Sequence, residues 1–213
     1  MKTKIPKIIH QLWVGDKPIP EQIKGFTDKM PEINQGYECK LWGNEVFDRY
    51  KDDPYLTNYL KDPDLYRWAF ICDRVRCLLL KDFGGIYVDA DALPIQSFDL
   101  IMNQLSENIT FFTGMKPTQQ NNTLFDCAVY GSAPNSRMVN NLIDTYDDIN
   151  WANGCKIFSD RIIKDMDSDV ACFNYQYFYD DKETEKTIVL HDTEDTRLFS
   201  WAWDDEQKRR ENW

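Results

Sequence analysis

Apolar residues fall along this chain in two rhythms. Short runs rich in β-branched and aromatic residues predict strands. They are Lys7-Ile8-Ile9-His10-Gln11-Leu12-Trp13-Val14, Glu38 to Trp42, Ile86-Tyr87-Val88, residues 109–115, residues 124–131 and Thr187-Ile188-Val189-Leu190-His191. Longer segments with apolar positions three and four apart predict helices. These cover residues 20–34, a start at Gly43-Asn44, about Asp64 to Phe83, Asn135 to Ile149 and residues 156–166. Pro134-Asn135 is the start signal of the fourth. Residues 51–64 are polar, with turns at Asp53-Pro54 and Asp62-Pro63, and residues 116–123 form a polar loop. Strands alternating with helices predict an α/β sandwich, with a mainly parallel central sheet of about six strands flanked by helices. Ligands of such sheets bind at the carboxyl ends of strands. Asp89, Asp91 and His191 lie at such ends.

One helix breaks its own pattern. At about 100° per residue, Leu65, Trp68, Ala69, Cys72, Val75 and Leu79 form one apolar stripe. Arg67, Arg74 and Lys81 fall on the opposite, solvated face. Arg76 sits inside the apolar stripe, and Asp73 at its edge. A buried unpaired charge is expensive, but residues three apart on a helix can pair. Two readings stand: a buried Asp73–Arg76 ion pair, or two side chains reaching past the helix to a polar ligand.

The strand after that helix carries the chemistry. Gly84-Gly85 lets the chain turn sharply into Ile86-Tyr87-Val88, and Pro94 ends the strand. Asp89 and Asp91 follow at its exit. Alternate residues of an extended chain face one side, roughly 6–7 Å apart. Two such carboxylates repel unless a cation lies between them, and hard oxygen ligands suit Mn²⁺ or Mg²⁺. Asp-x-Asp also occurs at Asp62-Pro-Asp64, Asp165-Met-Asp167 and Asp167-Ser-Asp169, but none of these follows an apolar strand. His191 ends the last strand and is the candidate third metal ligand. His10, within a buried strand, reads as structural.

Composition narrows the partners. A net charge of −11 argues against nucleic acid and against an electrostatic hold on anionic membranes. No segment approaches the roughly 20 apolar residues of a membrane span, and the opening lacks a secretory leader's apolar core. The six cysteines show no metal-site spacing and read as packed thiols in a reducing compartment. A surplus of Trp and Tyr suits stacking on bases or sugar rings. The chain has the size of one domain, residues 1–213, and reads as a monomer. Its charged tail from Asp204 to Trp213 ends abruptly, as the N-terminal part of a longer protein would.

Ile5-Pro6-Lys7-Ile8-Ile9-His10-Gln11-Leu12-Trp13 resembles the opening of glycosyltransferases with a DXD sugar-binding region. Asp73-Arg74-Val75-Arg76 and Leu79-Leu80-Lys81-Asp82-Phe83-Gly84-Gly85-Ile86-Tyr87-Val88-Asp89-Ala90-Asp91 are similar to that family's central block. The chain as a whole most resembles the N-terminal domain of a chlorella-virus member. The resemblance implies a GT-A fold, a UDP-sugar donor, Mn²⁺ or Mg²⁺, and hexosyl transfer to a glycan or glycoprotein acceptor. The viral likeness implies viral glycans made in a host cytoplasm. It also implies residue roles. Gln11, Leu12 and Trp13 would line the uracil and ribose pocket, although Trp13 could equally be a core aromatic. Asp73 and Arg76 would contact ribose and sugar hydroxyls. Asp89, with Ala90 beside it, would face ribose or a metal-bound water, and Asp91 would bind the metal. Ser200 and Trp201, with Trp203 nearby, would close the donor site; their spacing from His191 is longer than the family's.

An acceptor hydroxyl must lose a proton, and inverting transfer needs a carboxylate to take it. Asp126 is the candidate, because it interrupts the apolar run Leu124-Phe125-Asp126-Cys127-Ala128-Val129-Tyr130. Burial there would raise its pKa towards a working base. The alternative is an edge strand with Asp126 turned to water. Two other functions compete: a haloacid-dehalogenase-type phosphatase with Asp89 as nucleophile, and a non-catalytic sugar-binding module.

Overall fold

A computed structural model describes residues 3–61, 67–117, 123–145, 154–180 and 182–191. The elements in chain order are β1 (Ile8–Leu12), α1 (Glu21–Ile33), β2 (Glu38–Trp42), α2 (Val46–Arg49), α3 (Pro54–Lys61), α4 (Arg67–Phe83), β3 (Gly85–Val88) and β4 (Leu93–Pro94). They continue with α5 (Asp99–Met102), β5 (Phe111–Pro117), β6 (Thr123–Ser132), α6 (Arg137–Thr145), α7 (Gly154–Asp165), β7 (Val170–Phe173) and β8 (Val189–Leu190). Six strands form one sheet in the order β2-β1-β3-β6-β5-β7. The β1–β2, β1–β3 and β5–β7 pairings are parallel, and β6 runs antiparallel to both its neighbours. The mainly parallel α/β sandwich expected from the sequence is the architecture found. Val75, Leu79, Met138, Leu142, Phe158 and Ile162 cover one face of the sheet from α4, α6 and α7. Ile101 and Met102 of α5, Met30 of α1, and Phe178, Tyr179, Ile188 and Val189 cover the other.

The glycines at the entry to β3 are sterically required. Gly84 and Gly85 hold φ of 63° and 100°. A Cβ on Gly84 would lie 2.6 Å from Pro134 Cδ, and one on Gly85 2.5 Å from the Ile8 carbonyl oxygen. Neither conformation nor clearance suits another residue. The pair sets where β3 begins, and therefore where its carboxyl end delivers Asp89.

Several elements depart from the sequence expectation. The polar stretch 51–64 contains α3, because Asp53 Oδ1 accepts from the Tyr55 and Leu56 amides and Pro54 opens the first turn. Arg74 is not solvated. It is 6 % exposed, pairs with Asp53 at 2.9 Å and donates to the Ile143 carbonyl at 2.7 Å. The signal missed was a carboxylate on a segment read as turns. Helix α6 is capped by Ser136, whose Oγ accepts from Val139 N at 3.2 Å, rather than begun by Asn135, which is left-handed at φ 53°. The late strand does not join the main sheet: β8 pairs antiparallel with β4 in a separate ribbon. Among the described residues, Cys39, Cys72, Cys77, Cys127 and Cys172 are free thiols, and no helix is long and apolar enough to cross a membrane.

His10 is structural, as expected. It is fully buried, with Nε2 2.9 Å from the Gly84 carbonyl and Nδ1 accepting from Trp42 Nε1 at 3.1 Å. Burial is the main cause that lowers its pKa from 6.5 to about 4. The unfolded chain then binds more protons between those values, so stability falls as pH drops from about 6.5 to about 4. Between pH 7 and pH 4 the native protein should lose on the order of 3 kcal/mol more stability than His10→Gln. Urea unfolding at both pH values measures this; equal losses would assign the acid sensitivity to another group.

Candidate active site

The site is built at the carboxyl end of β3. The Asp89 amide still donates to the Ala128 carbonyl at 2.9 Å, extending the ladder to β6 by one bond. The chain then turns, with Ala92 N donating to the Asp89 carbonyl at 3.1 Å. Asp89 and Asp91 thus converge through a turn, not through the alternation of an extended strand. The turn brings them closer than the extended spacing allows: one carboxylate oxygen from each and one His191 ring nitrogen all lie within 4.8 Å of one another. His191 Nε2 is 3.7 Å from Asp89 Oδ2 and 3.4 Å from Asp91 Oδ1. The antiparallel β4–β8 ribbon makes this possible, because Leu190 pairs with Leu93 directly after the turn.

Beneath the turn lies the charge predicted in the apolar stripe of α4. Arg76 is 5 % exposed and Asp73 8 %. The first reading of this pair is met, and Arg76 also reaches protein groups beyond its own helix. Arg76 Nη2 is 2.7 Å from Asp73 Oδ1, so the buried ion pair exists. Arg76 Nη1 also donates to the Cys127 carbonyl at 2.6 Å and lies 3.5 Å from Asp89 Oδ1. The guanidinium stacks over the Tyr87 ring at 4.6 Å, and the Tyr87 hydroxyl donates to Asp89 Oδ1 at 2.7 Å. One oxygen of Asp89 is therefore held by the protein, and the other faces His191.

Asp126 stands on β6, an interior strand of the sheet, and is 8 % exposed. This rules out an edge strand with the carboxylate turned to water. Its Oδ1 accepts from Ala128 N at 2.9 Å, and its Oδ2 is 3.2 Å from Lys116 Nζ on β5. It lies opposite Gly114, next to a bulge between Thr113 and Gly114. A Cβ on Gly114 would meet Phe178 at 2.4 Å, so this glycine lets the Phe178–Tyr179 segment approach. Tyr179 packs edge-on against His191, and its hydroxyl oxygen accepts from Val129 N of β6 at 3.2 Å. Nothing in the residue pattern marks Lys116 or Tyr179 as neighbours of the site; Lys116 follows the register shift, and Gly114 leaves room for Phe178 and Tyr179.

The charges of the site do not balance among themselves. Four carboxylates (Asp73, Asp89, Asp91, Asp126) face two permanent cations, Arg76 and Lys116. Burial raises the Asp73 pKa to about 6, with Arg76 opposing and Asp89 and Asp126 adding to the rise. Burial likewise raises Asp89, against Arg76 and with the help of Asp91. Burial alone would lower His191, but the Asp91 hydrogen bond and the charges of Asp91 and Asp89 push it up to about 9. The imidazole takes up a proton because the cluster is short of positive charge. A hard divalent cation fits this donor set on chemistry and charge: two carboxylate oxygens, one imidazole, and a surplus of two negative charges. Asp89, Asp91 and His191 would hold it.

The remaining predicted residues are placed as follows. Gln11 is 3 % exposed, and its Nε2 has no partner among the described residues. Leu12 is turned into the core, which leaves only its main chain to a ligand. Trp13 is half-buried, and its Nε1 donates to the Lys17 carbonyl at 3.0 Å. Ala90 is buried in the turn. Ser200, Trp201 and Trp203 lie outside the described residues.

Comparison with known proteins identifies the region. Residues 15–111 match the family model described as the glycosyltransferase sugar-binding region containing the DXD motif. The chain is 26 % identical over 216 residues to the uncharacterized glycosyltransferase L373 of Acanthamoeba polyphaga mimivirus, covering 93 % of this chain and 84 % of the viral one. It is 38 % identical over 102 residues to inositol phosphoceramide mannosyltransferase 3 of Schizosaccharomyces pombe; this covers 46 % of the chain but only 28 % of the yeast enzyme's length. Among solved structures, PaToxG glycosyltransferase superposes with a TM-score of 0.59 at 17 % identity, over 76 % of this chain and 70 % of that one. A glycosyltransferase involved in glycosylation of the major capsid of PBCV-1 superposes at 0.51 and 8 % identity, over 79 % and 83 %. The fold is that of GT-A glycosyltransferases, and the segment bearing Asp89 and Asp91 matches the glycosyltransferase sugar-binding region. The resemblance drawn from the sequence motifs holds.

A cation at this site must displace the His191 proton. Mn²⁺ affinity should therefore rise by about tenfold per pH unit on the acid side of the His191 pKa, with one proton released per ion. Calorimetry in buffers of different ionisation enthalpy counts the protons. Binding that is independent of pH from 6 to 8, or unchanged in His191→Ala, would remove His191 from the ligand set.

Proposed function

We propose that this protein is a metal-dependent hexosyltransferase that moves a sugar from a UDP-sugar to a hydroxyl of a glycan or glycoprotein acceptor. The observation that carries the reading is the Asp89–Asp91–His191 cluster, held over a buried Arg76 at the carboxyl end of β3. Glycosyl transfer leaves a nucleoside diphosphate with new negative charge. A bound divalent ion supplies Lewis-acid stabilisation of that charge. The chain's own residues do the rest. Asp89, Asp91 and His191 would hold the ion. Tyr87 and Arg76 fix Asp89 through its Oδ1, which leaves Oδ2 for the ion and its ligands. Asp73 and Arg76, pre-paired and desolvated, present a carboxylate and a guanidinium to ribose and sugar hydroxyls. The unpartnered amide of Gln11 offers a donor to the nucleobase. A buried donor without a partner costs about 1–3 kcal/mol, which a ligand acceptor would return.

The donor nucleotide and the viral setting rest on the family resemblance and the two viral relatives. Those relatives favour glycans of a virus built in its host's cytoplasm. The yeast relative's name makes mannose the first sugar to test. The phosphatase alternative is disfavoured by Asp89 itself. A nucleophile needs an unencumbered oxygen aimed at substrate, and here Oδ1 is engaged by the Tyr87 hydroxyl while Oδ2 faces His191.

Asp126 is the carboxylate assigned to the acceptor side. Its partners are Lys116 and a backbone amide, not Arg76 or the metal ligands. Lys116 holds Oδ2 in place, and a hydroxyl approaching that oxygen would give up its proton there as the sugar carbon is attacked.

Asp91→Asn removes a ligand charge from a half-exposed side chain. Transfer should fall at least a hundredfold while the thermal midpoint of the metal-free protein stays within a few degrees. Calorimetric UDP binding should require Mn²⁺ in the native protein and be lost in the variant. Metal-independent UDP binding, or native turnover of Asp91→Asn at saturating Mn²⁺, would end this reading.

Asp126→Asn separates the base from the donor site. Transfer to acceptor should fall by about 10²–10⁴-fold, with UDP and Mn²⁺ affinities unchanged. Transfer at the native rate would show that Asp126 is not the base.

A further inference from the structure

We infer that Gln96 is the positioning residue that sets the register of the β4–β8 ribbon and so brings His191 to the aspartate pair. The inference rests on the metal-site reading above. The two halves of that site are distant in sequence: Asp89 and Asp91 follow β3, whereas His191 follows β8. Among the described residues the β4–β8 ribbon brings them together, and it is short. It has two residue pairs, Leu93 with Leu190 and Pro94 with Val189. Pro94 has no N–H, and the bond beside its pair comes from Ile95 N to the Ile188 carbonyl. Register in a strand pair is fixed by pattern and by hydrogen bonds, and two pairs supply few bonds. A slip of one residue would carry His191 about 3.3 Å along the strand and turn its side chain to the other face. The present separations of 3.4 and 3.7 Å from the two carboxylates would be lost.

Gln96 supplies the missing bonds. Its side-chain amide donates to the Thr187 carbonyl at 3.0 Å and the Glu185 carbonyl at 3.1 Å, with the Thr184 carbonyl at 3.4 Å. The Ile95 and Gln96 amides both donate to the Ile188 carbonyl, at 2.8 and 3.1 Å. The segment they grip is itself closed. Thr184 N donates to Thr187 Oγ1 at 2.8 Å, and Thr187 N to the Thr184 carbonyl at 3.2 Å. Ile188 N is fixed by the Tyr177 carbonyl at 2.9 Å. A rigid turn held by one side chain thus stands four residues before His191, and that side chain stands five residues after Asp91. Gln96 touches neither the carboxylates nor the imidazole; it acts on the distance between them.

Gln96→Ala and Gln96→Glu test this, the second keeping the shape while removing both amide donors. Mn²⁺ affinity, read by electron paramagnetic resonance, should fall about 10–100-fold in each, the range for residues that orient metal ligands. In a His191→Ala background the same changes should produce no further loss, because Gln96 acts through His191. Amide exchange at Val189 and Leu190 should rise in both variants with no metal present. Native Mn²⁺ affinity in the variants, or a full further loss in the His191→Ala background, would overturn the inference. If the native protein binds no Mn²⁺, the metal reading fails and takes the ligand part of the inference with it. The exchange measurement still decides the clamp: native protection at Val189 and Leu190 in Gln96→Glu would refute it.

Discussion

The buried guanidinium of Arg76 is the interaction on which the site depends. It is placed by α4, yet its contacts belong to three elements: Asp73 of its own helix, the Tyr87 ring and Asp89 at the end of β3, and the Cys127 carbonyl of β6. Taking this charge out of water is costly unless every donor is satisfied. The packing of α4 on the sheet is therefore tied to the position of the carboxylates at its edge. Removing Asp73 or Asp89 would leave a buried cation short of a partner, and removing Arg76 would leave several carboxylates repelling one another. The carboxylates proposed to hold a metal cation are themselves held in place by the guanidinium cation underneath.

Most of this was legible in the sequence where local chemistry was decisive. Gly84-Gly85 followed by Ile86-Tyr87-Val88 located the strand, because neither glycine position tolerates a side chain. Arg76 announced itself by falling among apolar helix positions. His191 could be singled out because only two histidines exist in the chain and the other lay inside a strand. Illegible features were those set by distant contacts. Arg74 looked solvated by periodicity, yet Asp53 and the Ile143 carbonyl bury it. The approach of the two aspartates depended on a turn, which the pattern of a strand cannot express. Lys116 reaches Asp126 through the register shift between β5 and β6, where β6 carries the extra residues, and the apolar pattern of a strand does not express a shift in register. Gln96 is an ordinary polar residue in sequence; its role appears only when residues 184–188 are laid beside it.

The chain carries −11 overall, and the Asp89–Asp91–His191 site has a local surplus of carboxylates as well. An anionic nucleotide approaching such a surface would be repelled until a divalent ion is present. Under the proposed function, metal and nucleotide would be coupled ligands, each raising the affinity of the other by the same factor.

The pairing of Leu93 with Leu190 has a consequence for the order in which the molecule forms. The sheet strands β1, β2 and β3 and the helix α4 assemble from contacts within the first half of the chain. The ribbon must close a loop of almost the whole second half. Loop closure becomes slower and entropically costlier as the intervening chain lengthens. On a ribosome, residues 89 and 91 emerge long before residue 191. The nascent protein thus carries two mutually repelling carboxylates that gain their imidazole neighbour only after residue 191 has been made. Assembly of this site is a late folding event, and a metal ion that waits for all three ligands would trap the finished fold rather than guide it.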